Sequence, residues 1–401
     1  MQRVKGQGLR VKEILLLTAH CSLLTMLYAL CSMPYVVLAA VHADAQTIKE
    51  FPIPTAYSRP VDLTIDSNGD IWFVEESANK LAWFDTKKET FEEFDIPYKN
   101  GGPSSIETRG NIVWAVLSLD NSIISFERSS KAFKRFQIPT ENSGPYSIAI
   151  DSEGIIWFTE RNSNKIGRFD PSNSTFKEYL VPTPNSQPSG ITIGKGRHVP
   201  ADSKQELVWF TEAAGNKIGV LNPKTGDVTE YDILSNFANP SRITIDNNGN
   251  VWFTEQSSNK LGMFDTLKKR FNNAVIPTPS SVPLDIAVDK DNIVWFTENK
   301  GNKIGRLDIE TATFTEYDIT IQRSLPMGIA VDKDRTVWFT ETDRDANKIG
   351  RLIPVSTDGK KEARKEKEVS KTLTKDIVSI IGGIILIAAA LIMIHLAGKR
   401  K

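Results

Sequence analysis

Six segments of this 401-residue chain end an apolar, strand-like run on a glutamate and place an Asn-Lys pair shortly after it. The glutamates are Glu75, Glu160, Glu212, Glu255, Glu298 and Glu341, and the pairs are Asn79-Lys80, Asn164-Lys165, Asn216-Lys217, Asn259-Lys260, Asn302-Lys303 and Asn347-Lys348. One interpretation is a ring of carboxylates that faces a ligand or a metal ion. The other is a turn network, in which Asn adopts the turn geometry and Lys neutralises Glu. Because the set recurs so evenly, we expect it to belong to the scaffold.

Charges that differ between the repeats lie beside a recurring proline, found at positions 60, 103, 145, 188, 240, 283 and 326. Two residues after it come Asp62, Ser105, Ser147, Gly190, Arg242, Asp285 and Gly328. We predict a ligand-binding site formed by Arg59, Asp62, Tyr146, Arg242 and Asp285. The alternative is that these charges form rim salt bridges or are simply solvated.

A divalent cation, Mg or Ca, is a further hypothesis for the same region. Hard cations take several oxygen ligands, and the candidates are Asp62, Asp285 and Glu298. No spacing among them is specific for a metal.

The elements that position these residues follow from a tryptophan ladder at 72, 114, 157, 209, 252, 295 and 338. Steps of 42, 43, 52, 43, 43 and 43 residues, carried by β-type segments, are typical of a β-propeller. The fold class predicted is all-β, a propeller with seven blades. The short step reflects a shorter turn at 109–111, and the long step reflects extra residues between Gly194 and Leu207.

Each repeat predicts four short antiparallel strands. In the block 283–319 they are 284–288, 293–298, 303–307 and 313–319. The last repeat stops after its third strand, and Ile48–Pro54 matches a fourth strand. We therefore expect the N-terminal strand to complete blade seven and close the ring.

The face on which the fourth-to-first connections and the second-to-third turns emerge is called the upper face here. Loops on a rigid scaffold are where binding usually occurs, so the predicted ligand site is the upper end of the central channel. On the opposite, lower face, the insertion 194–207 carries Lys195, Arg197, His198, Lys204 and Glu206. It is either a docking loop or a tolerated surface insertion.

Both ends of the chain predict membrane signals. Residues 1–45 read as a signal peptide or an uncleaved N-terminal anchor, and 46–355 as the propeller. Residues 356–376 form a charged stalk, 377–397 a transmembrane helix and 398–401 a basic tail. The positive flanks predict a single-pass protein of the cell membrane, with the propeller outside and the C-terminus cytoplasmic.

Composition excludes other classes. The net charge is zero, which argues against nucleic acid as a partner, and we expect a monomeric propeller with an unknown extracytoplasmic ligand or protein partner. Both cysteines, Cys21 and Cys31, precede the propeller, so neither disulfides nor thiol chemistry is predicted within it.

The recurring Val-Trp-Phe-Thr-Glu and Asn-Lys-Ile-Gly-Arg blocks, with Pro-Met-Gly-Ile-Ala-Val-Asp at 326–332, resemble the virginiamycin B lyase (streptogramin lyase) family from about Ile48 to Leu352. The resemblance implies seven blades. It also implies an enzyme that opens a cyclic depsipeptide by metal-assisted elimination, with Mg held by glutamates and a general-base histidine just after an opening proline. Here those positions hold Val61, Ser104, Tyr146, Ser189, Ser241, Leu284 and Met327, and the histidine nearest to the repeats is His198 in the insertion.

Two functions follow. The first is a membrane-anchored binding module that is similar to streptogramin lyases but without the catalytic histidine, and hence without assigned catalytic residues. The alternative is a metal-dependent lyase or lactonase-like hydrolase that acts on a cyclic ester or peptide in the channel. It would need a carboxylate, Lys or Tyr as the base.

Overall fold

Seven antiparallel sheets of four strands form the molecule, as a computed structural model shows for residues 48–197 and 205–354. Each sheet is one repeat, and its first strand contacts the first strands of both neighbouring sheets. The predicted seven-bladed propeller is therefore confirmed.

The bounds of the strands follow the repeats closely. Blade one comprises β2 (Pro60–Ile65), β3 (Ile71–Glu75), β4 (Lys80–Asp85) and β5 (Thr90–Asp95). Blade two comprises β6 (Pro103–Arg109), β7 (Ile112–Leu117), β8 (Ser122–Glu127) and β9 (Ala132–Gln137). Blade three comprises β10 (Pro145–Ile150), β11 (Ile156–Glu160), β12 (Lys165–Asp170) and β13 (Thr175–Leu180). Blade four comprises β14 (Pro188–Gly194), β15 (Leu207–Glu212), β16 (Lys217–Leu221) and β17 (Val228–Asp232).

Blade five comprises β18 (Pro240–Ile245), β19 (Val251–Glu255), β20 (Lys260–Asp265) and β21 (Arg270–Val275). Blade six comprises β22 (Pro283–Val288), β23 (Ile293–Glu298), β24 (Lys303–Asp308) and β25 (Thr313–Asp318). Blade seven comprises β26 (Pro326–Val331), β27 (Val337–Glu341), β28 (Lys348–Leu352) and, from the N-terminal side, β1 (Ile48–Pro52).

Ring closure is the predicted one, because β1 pairs with β28 from Ile48 opposite Leu352 to Pro52 opposite Lys348. The Phe51 ring lies 4.8 Å from that of Phe84 in blade one. Both the backbone ladder and the core thus join the N-terminal strand to its neighbours, and β28 is not left as an open edge.

The core lies between successive blades. Trp72 is 3% exposed, and its ring centroid lies 5.9 Å from that of Phe126 in blade two. The third strands approach the second strands so closely that a Cβ on Gly167 would lie 2.1 Å from the Phe158 ring. The Ile-Gly-Arg pattern of these strands therefore follows from packing against a buried phenylalanine.

An aspartate six residues before the tryptophan satisfies the indole in five blades. In blade five, for example, Trp252 Nε1 donates to Asp246 Oδ2 at 2.9 Å. The residue six before the tryptophan is Thr108 in blade two, which has the shorter turn, and Ser203 in blade four, within the insertion. There Trp209 Nε1 is buried without a hydrogen-bond partner. The two irregular steps of the ladder are thus the two departures from this contact.

Strand directions place both ends of the described propeller on the lower face. The second strand of each blade ends at the upper face. The third strand of blade seven, β28, runs antiparallel to the second and therefore ends at the lower face. Strand β1 begins opposite the last residue of β28, so it begins at the lower face too. Residues 48–197 and 205–354 contain no apolar helix long enough to cross a bilayer. The predicted signal segment, stalk and transmembrane helix lie outside the described residues.

Candidate functional site

The central channel is lined by the first strands of the blades, β2, β6, β10, β14, β18, β22 and β26. Successive side chains of a strand alternate between its two faces. The residues two and four after each opening proline therefore share the channel side. The residue between them, such as Leu63 or Ile286, is buried between blades.

Arg242 of blade five is the centre of the upper layer of this channel. Its Nη1 donates to Ser147 Oγ of blade three at 2.6 Å, and its Nη2 lies 3.6 Å from Asp62 Oδ2 of blade one. Its guanidinium is 5.5 Å from the centroid of the Tyr146 ring. One side chain thus braces three blades that are not sequence neighbours.

The two aspartates of this layer connect adjacent blades. Asp62 Oδ2 accepts the N–H of Ile106 in blade two at 3.2 Å, and Asp285 Oδ2 accepts that of Ile329 in blade seven at 3.0 Å. Ser105 Oγ accepts the N–H of Ile148 in the same way. The second residue after the proline is therefore a staple between first strands, and Asp62 serves both this contact and Arg242.

Glu107 is a channel residue that the sequence prediction missed. It lies four residues after its proline and accepts a hydrogen bond from Thr64 Oγ1 at 3.3 Å. The equivalent residues of the other blades are Thr64, Ala149, Thr192, Thr244, Ala287 and Ala330. Comparing this register position across the repeats would have revealed the one charge in it.

Burial and mutual charge shift the acid–base properties of the cluster. Burial raises the pKa of Asp285 to about 6, although Arg242 opposes the rise. Burial, followed by the charge of Asp62, raises the pKa of Glu107 to about 7. Burial would lower the pKa of Arg242, but the Asp62 and Asp285 carboxylates raise it, so the guanidinium stays charged. The net charge of the channel thus becomes more negative between about pH 5 and pH 8.

The mouth above Arg242 is polar on one side and apolar on the other. The Arg161 guanidinium lies 4.5 Å from the centroid of the Tyr146 ring. The residues that flank the opening prolines of blades six and seven are partly buried and apolar: Val282, Leu284, Leu325 and Met327. Such a surface offers an aromatic ring, a cation and an apolar wall to a ligand.

Of the five predicted ligand-site residues, the structure brings four into one electrostatic cluster, namely Asp62, Tyr146, Arg242 and Asp285. Arg59 is separate. It forms an ion pair with Glu76 in the upper turn of its own blade, where about half of its side chain is exposed. Proximity to the proline in sequence did not distinguish the rim from the channel.

The repeated glutamates do not face a ligand, because all six are fully buried. In the turn-network interpretation the following lysine neutralises the glutamate; the charge of Lys165 does lower the pKa of Glu160, but burial raises that pKa by more. Five of these lysines pair with fourth-strand carboxylates, such as Lys165 with Glu178 at 2.6 Å and Lys303 with Glu316 at 3.4 Å, whereas Lys260 donates to Ser235 Oγ at 2.9 Å. Lys165 and Lys303 are each the register partner of the buried glutamate on one side and of a fourth-strand residue on the other, and the glutamate that each pairs with lies two residues along that outer strand.

The asparagines have the predicted turn role. Each adopts a positive φ, such as 59° at Asn164, and its side chain crosses to the connection that enters the next blade. Asn164 Oδ1 accepts the N–H and the hydroxyl of Ser186, while its Nδ2 donates to the carbonyls of Val181 and Thr183. Equivalent bonds recur around the ring, so this part of the motif is scaffold.

Burial leaves the repeated carboxyl groups with altered acidity. Each of the six has at least one buried oxygen without a hydrogen-bond partner. Desolvation raises the pKa of Glu75, Glu160 and Glu298 to about 7 and that of Glu212 and Glu341 to about 8. The pKa of Glu255 is raised for the same reason.

The divalent-cation hypothesis finds no assembled ligand set in residues 48–197 and 205–354. No three His, Cys, Asp or Glu side chains of these residues lie close enough together to hold a metal ion. Asp62 and Asp285 are engaged by backbone N–H groups, and Glu298 is buried within blade six. These residues therefore do not fit the Mg site that the resemblance implies.

Blade two departs from the common pattern as a set. Leu117 replaces the buried glutamate, Ser122 replaces the lysine and Arg135 replaces the fourth-strand acid. Arg135 pairs with Asp120 at 3.3 Å and stacks over the Tyr98 ring at 4.6 Å. In blade two the fourth strand thus supplies the cation of the outer ion pair, and the turn supplies the carboxylate.

Comparison with known proteins gives one family. The family model for the virginiamycin B lyase family matches residues 40–202 and 197–364. Among proteins with curated functions, none matches this sequence at a significant level.

Solved structures agree with the family match. Selenomethionine-substituted virginiamycin B lyase from Staphylococcus aureus shares 30% identity, with a TM-score of 0.69 over 77% of this chain and 99% of that one. A streptogramin B lyase structure shares 31% identity, with a TM-score of 0.70 over 77% and 97%. A catalytically inactive histidine-to-alanine variant of the Staphylococcus aureus enzyme, with Quinupristin, shares 30% identity and a TM-score of 0.70 over 77% and 99%. With the matched residues spanning the entire ring, the chain belongs to the virginiamycin B lyase family.

Proposed function

We propose that this chain is a membrane-anchored, extracytoplasmic propeller that binds a ligand or a protein at its upper mouth and does not perform the elimination reaction of its family. The observation that carries the proposal is the cluster around Arg242. It lies at a register position whose residue type changes from blade to blade, and it combines a guanidinium, an aromatic ring and titratable carboxyl groups. Sites of this kind, with convergent polar groups and shifted pKa values, are typical of binding surfaces.

The absence of elimination rests on the residues at the positions of the family's base. The residues after the opening prolines include Tyr146, Leu284 and Met327 but no histidine. A general base must lie within hydrogen-bond reach of the proton that it removes. Glu107 has a suitable pKa, but it lies below the Arg242 layer and bonds to Thr64. The channel residues therefore support recognition rather than this chemistry.

The membrane tether is supported by the sequence of the C-terminal region and by the exit of the chain. Residues 377–397 contain no formal charge and are followed by Lys399, Arg400 and Lys401. The last described strand ends at the lower face, opposite the mouth. A chain tethered there would present its upper mouth away from the membrane.

A ligand screen on the full chain in detergent tests the proposal. Thermal shift would rank cyclic depsipeptides, with Quinupristin first, and linear peptides. Hits would be retested against Arg161→Ala and Tyr146→Ala, with Lys134→Ala on the outer strand of blade two as the control. We expect the mouth variants to weaken a hit by at least about tenfold, the loss of one good contact. A hit that all variants bind equally would place the binding surface elsewhere.

A further inference from the structure

We propose that the lower face of blade five is a docking surface for the anionic headgroups of the bilayer that carries the chain. The surface, called the basic patch here, consists of Lys195, Arg197 and the turn Leu267–Arg270. The inference rests on the membrane tether proposed above and adds an orientation of the propeller on the membrane.

The turn between β20 and β21 is unlike the other third-to-fourth turns of the described blades. It runs Leu267-Lys268-Lys269-Arg270, all exposed, with the apolar leucine 55% exposed. The equivalent turn of blade one holds Lys87 and Lys88 but also Glu89, and that of blade two holds Arg128 and Lys131 separated by two serines. That of blade three has no charged residue from Pro171 to Ser174, and that of blade six includes Glu310. An exposed leucine beside three successive cations suits a surface that is both anionic and apolar beneath its headgroups.

The insertion of blade four adds two cations to this turn. The Arg197 N–H donates to Thr266 Oγ1 at 2.7 Å, and its Nη1 lies 3.7 Å from Asp265 Oδ2. Gly249 makes this approach possible, because a Cβ there would lie 2.8 Å from the Lys195 carbonyl oxygen. Lys195 and Arg197 are therefore held against blade five, and both are exposed.

The charge balance of the basic patch remains positive. Its five cations are Lys195, Arg197, Lys268, Lys269 and Arg270. Two carboxylates, Asp246 and Asp265, lie beneath them, only 4% and 6% exposed. Five cations less two carboxylates leave three positive charges on the exposed surface. Each cation near an anionic membrane contributes about 1 kcal/mol of attraction, or roughly fivefold in affinity.

The chain ends supply an independent observation. Ile48 and Leu352 are paired at the lower end of blade seven, so residues 1–47 and 355–401 both continue from this face. Either predicted membrane segment, an uncleaved anchor within 1–45 or the helix 377–397, would thus bring the lower face toward the bilayer. Tethering raises the local concentration of headgroups, so a modest patch is sufficient for docking.

Fluorescence quenching on the reconstituted full chain tests the proposal. Cys21 and Cys31 are the only cysteines, so replacing both with serine permits a single labelled cysteine. One reporter is placed at Thr225→Cys, an exposed lower turn beside the basic patch, and the other at Ser257→Cys, an exposed upper turn of blade five. Vesicles carry a headgroup quencher in phosphatidylcholine alone or with phosphatidylglycerol.

The charge-reversal variant is K268E/K269E/R270E. Blade one already holds Glu89 at the position equivalent to Lys269, with φ of 57° against 50°, so the left-handed position of this turn accepts glutamate. The matched control, K134E/K300E/R323E, reverses three exposed cations on other surfaces. We expect strong quenching at position 225 only with phosphatidylglycerol, and a ratio of docked to undocked chains at least about a hundredfold lower in the patch variant alone, since three attractive charges are lost and three repulsive ones are added.

Quenching of equal strength at both reporters would overturn the docking surface. So would quenching that is the same with and without phosphatidylglycerol and the same in the patch variant as in the wild type. Loss of an acidic protein partner in the patch variant, with quenching unchanged, would assign the basic patch to that protein instead. A chain that alkaline extraction removes from the vesicles would overturn the tether itself. A retained chain without quenching would overturn the docking alone.

Discussion

The Arg242 guanidinium of blade five reaches Asp62 of blade one across the channel, with 3.6 Å between Nη2 and Oδ2. Because Asp62 also accepts the N–H of Ile106, this pair couples the channel charge to the contact between blades one and two. The upper mouth is therefore a site whose electrostatics and whose ring geometry share the same residues.

Removing the cation is expected to destabilise the ring. Arg242→Met leaves the buried Asp62 without its cationic partner, which should cost about 3 to 5 kcal/mol of unfolding free energy. Urea denaturation measures the loss. Arg59→Met is the control, since its exposed ion pair with Glu76 is worth about 1 kcal/mol or less. Equal effects of the two substitutions would show that the Asp62 contact contributes little.

Stability is expected to fall as the pH rises from about 5 to about 8. A carboxyl group whose pKa is raised in the folded state contributes its full stabilisation of the fold below its unfolded pKa, near 4.5. That contribution is lost as the pH rises through the folded pKa. The folded pKa values of five buried glutamates are about 7 or 8, so all five lose their stabilising contributions in the same pH range. Melting temperature against pH measures the slope.

Glu341→Gln should flatten that slope, because the amide cannot ionise. Glu178→Gln is the control, since hydrogen bonds from Lys165 and Thr140 outweigh burial and lower the pKa of Glu178. The stabilisation that ionised Glu178 contributes is lost only in acid, below the range of about pH 5 to 8. A wild-type melting temperature that rises toward pH 8 would contradict the buried, partly protonated state of the glutamates.

Loss of the closing strand should open the ring. Deleting residues 46–56 removes β1, which pairs along β28, and the Phe51 ring that lies against Phe84. The exposed third strand and core should produce misfolding or oligomers, as sedimentation and thermal melting would reveal. A monomer with an unchanged melting temperature would refute the closure role.

The reversed contact of blade two can be tested by a charge swap. Arg135→Glu places two carboxylates where Arg135 and Asp120 now pair at 3.3 Å, and should cost about 1 kcal/mol because the site is partly exposed. Adding Asp120→Lys should recover most of the loss in a double-mutant cycle. Additive losses would show that the pair does not interact.

The repeat made most of the fold predictable. The tryptophan steps defined the blade number, and the unmatched third strand of blade seven identified its partner at the N-terminus. The candidate site was less predictable. The position of a residue in a strand indicates the face of the sheet on which its side chain lies, but not which residues of other blades that side chain contacts. Arg59 and Asp62 stand three residues apart, yet one lies on the rim and the other in the channel.

Glu107 and the lysine partners were missed for a related reason. Lys165 is the register partner of Glu160, so the hairpin pattern suggested that pair, whereas the ion pair of Lys165 is with Glu178, 13 residues away on the fourth strand. The single charge at the position of Glu107 was visible in the repeat alignment, but its burial was not.

Incubation of the full chain with Quinupristin and Mg²⁺ tests the central claim most directly. Elimination would open the ring without changing its mass, so chromatography must separate the opened product from the substrate. With no histidine after an opening proline, we predict no opening above the protein-free control, whereas virginiamycin B lyase serves as the positive control. Ring opening that this chain catalyses, and that Glu107→Gln abolishes while Lys134→Ala does not, would contradict the account and make the channel carboxylate the base.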